Sequence, residues 1–393
     1  MMNPLLRLAA CGQSYWLDNL TRGMIKSGAL HKRVAEEGLR GITSNPNTFH
    51  KAIAKGSDYD AQIKQLASEQ RPLSDIYERL VVTDIQDACD ILRPVYDASD
   101  GVDGFVSLEV SPHLAHDPEG TMTEARHLFT RVSRPNVFIK IPGTAAGVPA
   151  IEQMLYEGIN INITLLFSVP RYEAVAEAYL KALERRVAAD KPIHKIVSVA
   201  SFFLSRIDVL VDQLLSHRIR PALRRDSGPR PEQLLGKVAV ANAKLAYQSF
   251  KRIFSGDRWQ ALENKGARVQ RPLWASTGTK NPDYSDVGYV EPLIGPHTVS
   301  TMPEATIAAF ADHGVVRENS IEADLEEARQ LLQALAAVGV NFDCVTWQLE
   351  NEGVQKFIEP FDELMRTLKE KCQQFLHEKA GSQSHIPIEE RNI

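Results

Sequence analysis

One feature limits what this chain can fold into more than any other. Short runs rich in Val, Ile, Leu and Phe alternate with longer stretches of helical spacing, and the unit recurs about eight times along 393 residues. The candidate strands are 14–17, 41–44, 104–109, 136–141, 161–167, 196–203, 271–276 and 298–301. Continuous apolar runs of this length fit strands buried on both faces, as in a parallel sheet. Helical stretches are expected at 124–132, 148–156, 170–186, 231–253 and 303–311, with Pro170 suited to a first helical turn. Eight such units with right-handed crossovers predict a closed (β/α)8 barrel. An open doubly wound sheet is the alternative. It lacks support from any G-x-G-x-x-G or Walker-type phosphate loop after a strand.

Two regions exceed the minimal unit. The segment 74–96 is a long amphipathic insertion between the second and third strands. The region 321–380 is charged and helical, with Leu325, Ala328, Leu332 and Leu335 on one stripe. It is expected to pack outside the barrel as an appendage of a single domain, followed by a polar, disordered tail over 381–393. No repeat or linker calls for a second domain.

Composition narrows the function classes. A net charge of −5 argues against a global nucleic-acid binder, so any phosphate must meet a local basic site. The arginine-rich stretch 218–230 lacks interleaved aromatics and reads as a solvated helix end and loop. Cys11, Cys89, Cys344 and Cys372 show no C-x-x-C spacing and fit free thiols in a reducing compartment. The Leu8-Ala-Ala-Cys11 segment resembles a lipoprotein cleavage box, but its apolar run is interrupted by Arg7 and is too short for a secretory core. A cytoplasmic protein without membrane spans is expected. His113 and His116 stand three apart with no third ligand in view, so no metal site is expected there.

Barrel enzymes gather their chemistry where the C-terminal strand ends converge. Those ends carry Asp18, Asn45, Glu109, Lys140, Asn162 with Thr164, Ser201 and Ser276. Lys140 lies in Asn136-Val-Phe-Ile-Lys-Ile-Pro142, where alternation sends Ile139 and Ile141 outward and Lys140 inward with Phe138. Burial disfavours an ammonium, and a neutral lysine is a nucleophile fit to form a Schiff base with a ketone. The competing reading is a structural lysine paired with a strand-end carboxylate. Asp18 and Glu109 either complete such a structural triad or divide the proton transfers of carbonyl chemistry. Asp18 has a further competing role as a helix cap.

At this point the residues resemble those of the transaldolase family, Schiff-base enzymes built on a (β/α)8 barrel. The resemblance rests on Trp16-Leu-Asp-Asn-Leu20, Gly41-Ile-Thr-Ser-Asn-Pro46, Val106-Ser-Leu-Glu-Val-Ser-Pro112, Phe138-Ile-Lys-Ile-Pro-Gly-Thr144, Ile161-Asn-Ile-Thr-Leu-Leu-Phe167 and Ala200-Ser-Phe-Phe-Leu-Ser-Arg206, in order, from about Trp16 to Pro303. The segment Leu273-Trp-Ala-Ser-Thr-Gly-Thr-Lys280 is similar to the longer subfamily.

The resemblance implies that a dihydroxyacetone unit passes from a ketose phosphate (sedoheptulose 7-phosphate or fructose 6-phosphate) to an aldose phosphate (glyceraldehyde 3-phosphate or erythrose 4-phosphate) in the pentose phosphate pathway. By the same resemblance Lys140 would form the Schiff base and Asp18 would be the general base at the C4 hydroxyl. Glu109 and Thr164 would hold the proton-shuttling water. Asn45, Asn162 and Ser201 would hold the hydroxyls of the three-carbon unit, with Phe203 shaping the wall. Arg206 would bind the phosphate. The family's second phosphate arginine has no counterpart after Ala275-Ser276, and Lys280 is its candidate replacement, with Ser276 beside it. No cofactor and no metal are implied. The rival readings are a class I aldolase on the same scaffold, releasing free dihydroxyacetone, and a catalytically silent sugar-phosphate-binding barrel. A monomer or a homodimer is expected.

Overall fold

The computed structural model describes residues 3–219 and 229–383. Eight parallel strands close into a barrel in chain order. They are β1 (Gln13–Leu17), β2 (Gly41–Thr43), β3 (Phe105–Glu109), β4 (Val137–Pro142), β5 (Ile161–Leu166), β6 (Ser198–Phe203), β7 (Arg271–Ala275) and β8 (Thr298–Met302). Closure comes from β1 against β8, in register from Gln13↔Thr298 to Leu17↔Met302. Every strand residue is buried, as both faces are covered.

Alternation sorts each strand into an outward and an inward set. Reading inward residues upward, β1 gives Ser14 and Trp16, then Asp18; β3 gives Phe105, Ser107 and Glu109; β4 gives Phe138 and Lys140. The lower middle of the barrel is thus aromatic. Phe105 stacks on Phe138 at 4.1 Å, and Trp16 lies 6.1 Å from Phe138. Gly41 begins β2 because a Cβ there would fall 2.3 Å from the Trp16 indole. The upper layer is polar.

Two boundaries differ from expectation for local reasons. The stretch 231–253 is not one helix: a 3-10 turn, Pro231–Gln233, precedes the helix Val238–Ile253. Gly236 between them takes φ +67° and gives its N–H to Asp212 Oδ1 at 2.9 Å, which breaks the helical path. Strand β5 carries an irregularity in its pairing with β6 between Ile163 and Leu166, and Leu165 sits at φ +62°. A bulge of this kind re-aims side chains at a barrel rim, and its neighbour here is Thr164.

The insertion forms one helix, Leu73–Ala98. Within 321–380 lie a helix Leu325–Ala337 and a long helix Phe342–Gln383. The first buries Ala328, Leu331 and Leu335, a stripe shifted slightly from the expected one. The long helix buries Val345, Leu349, Val354, Phe357, Leu364, Leu368 and Cys372, and it does not stay outside the barrel. It packs on the helices Pro46–Lys55 and Asp60–Ser68 and on the end of β5, so it crosses the C-terminal mouth. The expected tail, 381–393, overlaps this helix as far as Gln383, and its remaining residues lie outside the described ones. So does most of the arginine-rich stretch; Arg218 is held by the carbonyls of Leu214 and Gly339.

Candidate active site

The strand ends and the long helix enclose a cavity of about 360 Å³. Asp18, Asn45, Lys140, Thr164, Ser201 and Phe203 line it from the barrel. Arg206, Ser276 and Lys280 line the side above β6 and β7. Of the residues singled out in the sequence, only Glu109 and Asn162 are absent from the wall. Both lie just behind it, bonded to residues of the site.

Lys140 is 4% exposed, and its Nζ donates to Glu109 Oε2 at 3.0 Å and to the Ser44 carbonyl at 3.4 Å. Adjacent register produces this pair, since Glu109 on β3 stands opposite Lys140 on β4. Burial pushes the Glu109 carboxyl above the ordinary range, opposed by the Lys140 charge and aided by Asp18. Its other oxygen, Oε1, is buried without a hydrogen-bond partner. Thr164 Oγ1 is likewise buried and unpartnered. A buried polar atom left unpaired is costly, and both of these belong to residues at the upper ends of strands around the cavity.

The remaining side chains are held by one another. Asp18 Oδ1 accepts from Thr43 Oγ1 at 2.8 Å, and Thr43 Oγ1 lies 2.7 Å from Thr301 Oγ1. Asp18 is not a helix cap; Thr21 caps the next helix, accepting from the Met24 N–H. Asn45 does cap its helix, since Oδ1 accepts from the Thr48 N–H at 3.1 Å. That fixes the amide orientation and leaves the Nδ2 donors uncommitted in a residue that lines the cavity. Asn162 is fully buried. Its Nδ2 donates to Ser107 Oγ at 2.9 Å and its Oδ1 accepts from Ser201 Oγ at 2.6 Å.

Arg206 is the second residue of the helix Ser205–Ser216, whose start is tied to β7 by the Ser205–Ser276 hydroxyl contact of 2.8 Å. Its guanidinium stacks between Phe203 (5.3 Å) and Phe357 (5.6 Å). Burial lowers it from its ordinary value, opposed by Glu109, Asp18 and Glu352. Arg206 Nη1 is buried with no partner. Lys280 is exposed at the rim.

The long helix supplies what sequence reasoning missed: Lys356, Phe357 and Pro360 line the cavity. The Phe357 ring lies 5.1 Å from Lys140 Nζ as well as beside Arg206. No local motif marks these residues, because only the path of the helix across the mouth brings them in. Thr43 and Thr301 were also missed, although strand alternation places both inward. His113 Nε2 contacts Asp362 of the long helix at 2.7 Å, and no group of three metal-ligating side chains occurs among the described residues. All four cysteines are free, and no helix among the described residues is long and apolar enough to cross a membrane.

Comparison with known proteins agrees with this geometry. Residues 15–368 match the family model described as transaldolase/fructose-6-phosphate aldolase. The chain is 50% identical over 373 residues to transaldolase 2 of a Nostoc species, covering 94% of this chain and 98% of that one. It is 49% identical over 371 residues to the transaldolase of Trichodesmium erythraeum, covering 94% and 97%. It is 48% identical over 365 residues to that of Mycolicibacterium paratuberculosis, covering 92% and 96%. A closed parallel barrel, a buried lysine paired with a carboxylate at its C-terminal mouth, and similarity along nearly the whole chain place this protein in the transaldolase/fructose-6-phosphate aldolase family.

Proposed function

We propose that the chain is a transaldolase that moves a dihydroxyacetone unit between sugar phosphates through a Schiff base on Lys140. The observation that carries this reading is the buried Lys140 Nζ, 3.0 Å from Glu109, facing a polar cavity at the strand ends. An amine must shed its proton before it attacks a carbonyl. Glu109 is within reach to take it, and burial already favours the protonated carboxyl.

The amine adds to the C2 ketone, and loss of the carbinolamine oxygen as water leaves an iminium. Glu109 Oε1 and Thr164 Oγ1, with unmet hydrogen-bonding capacity, are the groups assigned to that water. Asp18, fixed by Thr43, takes the C4 hydroxyl proton. The C3–C4 bond then breaks, its electron pair moving toward the iminium nitrogen, and an aldose phosphate leaves. The enamine carbon attacks the aldehyde of a second aldose phosphate, and Asp18 returns the proton to the new C4 oxygen. Water then releases the product and the free amine. Asn45 Nδ2 and the wired pair Asn162–Ser201 are assigned to the hydroxyls of the three-carbon unit. Phe203 walls the pocket, and Arg206 with Ser276 and Lys280 receives the phosphate, the guanidinium offering a fork that suits it.

Borohydride reduction in the presence of fructose 6-phosphate tests the reading. The expected result is a three-carbon or hexose phosphate adduct on the peptide containing Lys140. Its absence identifies a silent barrel. Acceptor dependence separates transfer from cleavage: free dihydroxyacetone at full rate without an acceptor aldose overturns the transferase reading in favour of an aldolase.

A further inference from the structure

The phosphate end of the cavity holds a cation that neither strand motif nor family resemblance singled out. Lys356 sits on the long helix, where a lysine beside Glu352 and Glu359 would ordinarily cover solvent. It is exposed, yet it also lines the cavity with Arg206 and Lys280. The helix is set low enough for this by two neighbours. Gly353 faces Leu165 and Phe167 so closely that a Cβ would lie 3.0 Å from Leu165 Cδ2. One turn on, Phe357 is buried to 7% exposure against Lys140 and Arg206.

Charge matching points the same way. Lys140 is balanced by Glu109, and Asp18 offsets one further cation of the wall. Arg206 and Lys280 alone then leave one net positive charge for a phosphate that carries two negative ones. Lys356 is a third cation at this end, and it supplies the second positive charge only by leaving Glu352, which also faces Arg206. Its present partner is Glu352, at 2.9 Å and four residues earlier, an exposed helix pair of the kind that contributes little. A dianion in the cavity competes for that ammonium against a single carboxylate. The flexible lysine stem lets it turn inward without moving the backbone.

We infer that Lys356 is a substrate-phosphate ligand, so that the C-terminal helix completes the phosphate site as well as covering the mouth. This rests on the sugar-phosphate reading above. The test compares wild type, Lys356→Gln and Lys356→Arg in two measurements. The first is the binding constant of inorganic phosphate by calorimetry. The second is the ratio of kcat/KM for glyceraldehyde 3-phosphate to that for unphosphorylated glyceraldehyde as acceptor.

In the glutamine variant, phosphate binding is expected to weaken and the ratio to fall, each about tenfold, the size of one charge-assisted contact. The arginine variant is expected to restore most of both. Unchanged phosphate binding in Lys356→Gln overturns the inference whether or not the protein transfers a three-carbon unit. So does an equal loss with both acceptors. A wild-type protein that binds phosphate in a Lys356-dependent manner yet transfers nothing would sink the transaldolase reading alone.

Discussion

The two mouths of the barrel bury similar charges and treat them differently. At the N-terminal mouth Arg271, 9% exposed, gives Nη2 to Ser14 Oγ at 2.6 Å and to the Thr298 carbonyl at 2.7 Å. Its Nη1 meets Asp103 Oδ1 at 3.1 Å. At the C-terminal mouth the Lys140–Glu109 pair is as deeply buried, yet Glu109 Oε1, Thr164 Oγ1 and Arg206 Nη1 are unpartnered. The Arg271 cluster is itself paired, although Gln13 Oε1, Asn136 Oδ1 and Gln270 Oε1 at the lower strand ends are also buried without a partner. Unpaired atoms alone therefore do not mark a binding site; at the upper mouth they accompany a buried amine–carboxylate pair beside a cavity. The comparison predicts that changes at the lower mouth alter stability and that changes at the upper mouth alter turnover.

The largest effect tests the upper mouth. Lys140→Met removes the amine, keeps a linear side chain and leaves Glu109 able to protonate, as burial already favours. Activity should fall on the order of 10⁴–10⁶-fold, as expected for loss of a covalent nucleophile. The borohydride adduct should vanish, while the thermal transition stays cooperative. Residual turnover above one part in a hundred would remove Lys140 from the centre of the chemistry.

The lower mouth gives the next effect, with the opposite signature. Arg271→Met removes the cation facing Asp103 and four hydrogen bonds at once, leaving Asp103 only the neutral donors Ser14 Oγ and Trp16 Nε1. Breaking a buried pair from one side costs about 3–5 kcal/mol. Asp103 retains some exposure, which favours the low end. The urea midpoint should fall accordingly, with kcat per folded molecule unchanged. A variant as stable as wild type, or one that loses turnover without losing stability, would break the division between the mouths.

The sequence revealed the upper mouth far better than what covers it. Strand ends are legible because alternation and the apolar run fix which residues face inward, so Asp18, Glu109, Lys140, Thr164 and Ser201 could be named in advance. Thr43 and Thr301 obeyed the same rule and were passed over because threonine is unremarkable in a strand. Lys356 and Phe357 obey no local rule. Their helix falls in the region expected to be helical, but the stripe read there belongs to the preceding helix, and which barrel face the long helix crosses depends on distant contacts such as Arg171–Glu350 and Lys371–Asp60. The long helix expected over 231–253 failed at Gly236, where a single positive-φ residue outweighed good helix propensity on either side.

A third buried charge, Asp208, lies on the same helix as Arg206, two residues further on. Its oxygens accept from the Ala239 N–H at 2.8 Å and from Tyr289 Oη at 2.9 Å, and burial pushes its carboxyl up to about 6. An unfolded aspartate titrates near 3.9, so the native state holds this proton more tightly. The stabilisation is fully present below about pH 4 and is lost as the pH rises through about 6, amounting to about 3 kcal/mol. Asp208→Asn keeps an acceptor for Ala239 and has no charge to bury. Urea midpoints of the two proteins should therefore diverge in the variant's favour between pH 4 and pH 7.5. A pH-independent difference would mean that Asp208 is paid for by its two hydrogen bonds.

The smallest effect separates charge from geometry at the phosphate end. Arg206→Lys keeps the cation but gives up the planar fork and the stacking between Phe203 and Phe357. Its Nη1 has no partner in the protein, so little native-state bonding is lost and the melting temperature should hold. KM for a phosphorylated acceptor should rise about tenfold, the loss of one bidentate contact, while kcat changes less. The same substitution should leave the cavity dependent on Lys356, so combining it with Lys356→Gln should cost more than the two single changes predict. If Arg206→Lys instead lowers stability and leaves KM alone, Arg206 belongs with Arg271 as a structural cation, and the contrast between the two mouths reduces to Lys140 and its carboxylates.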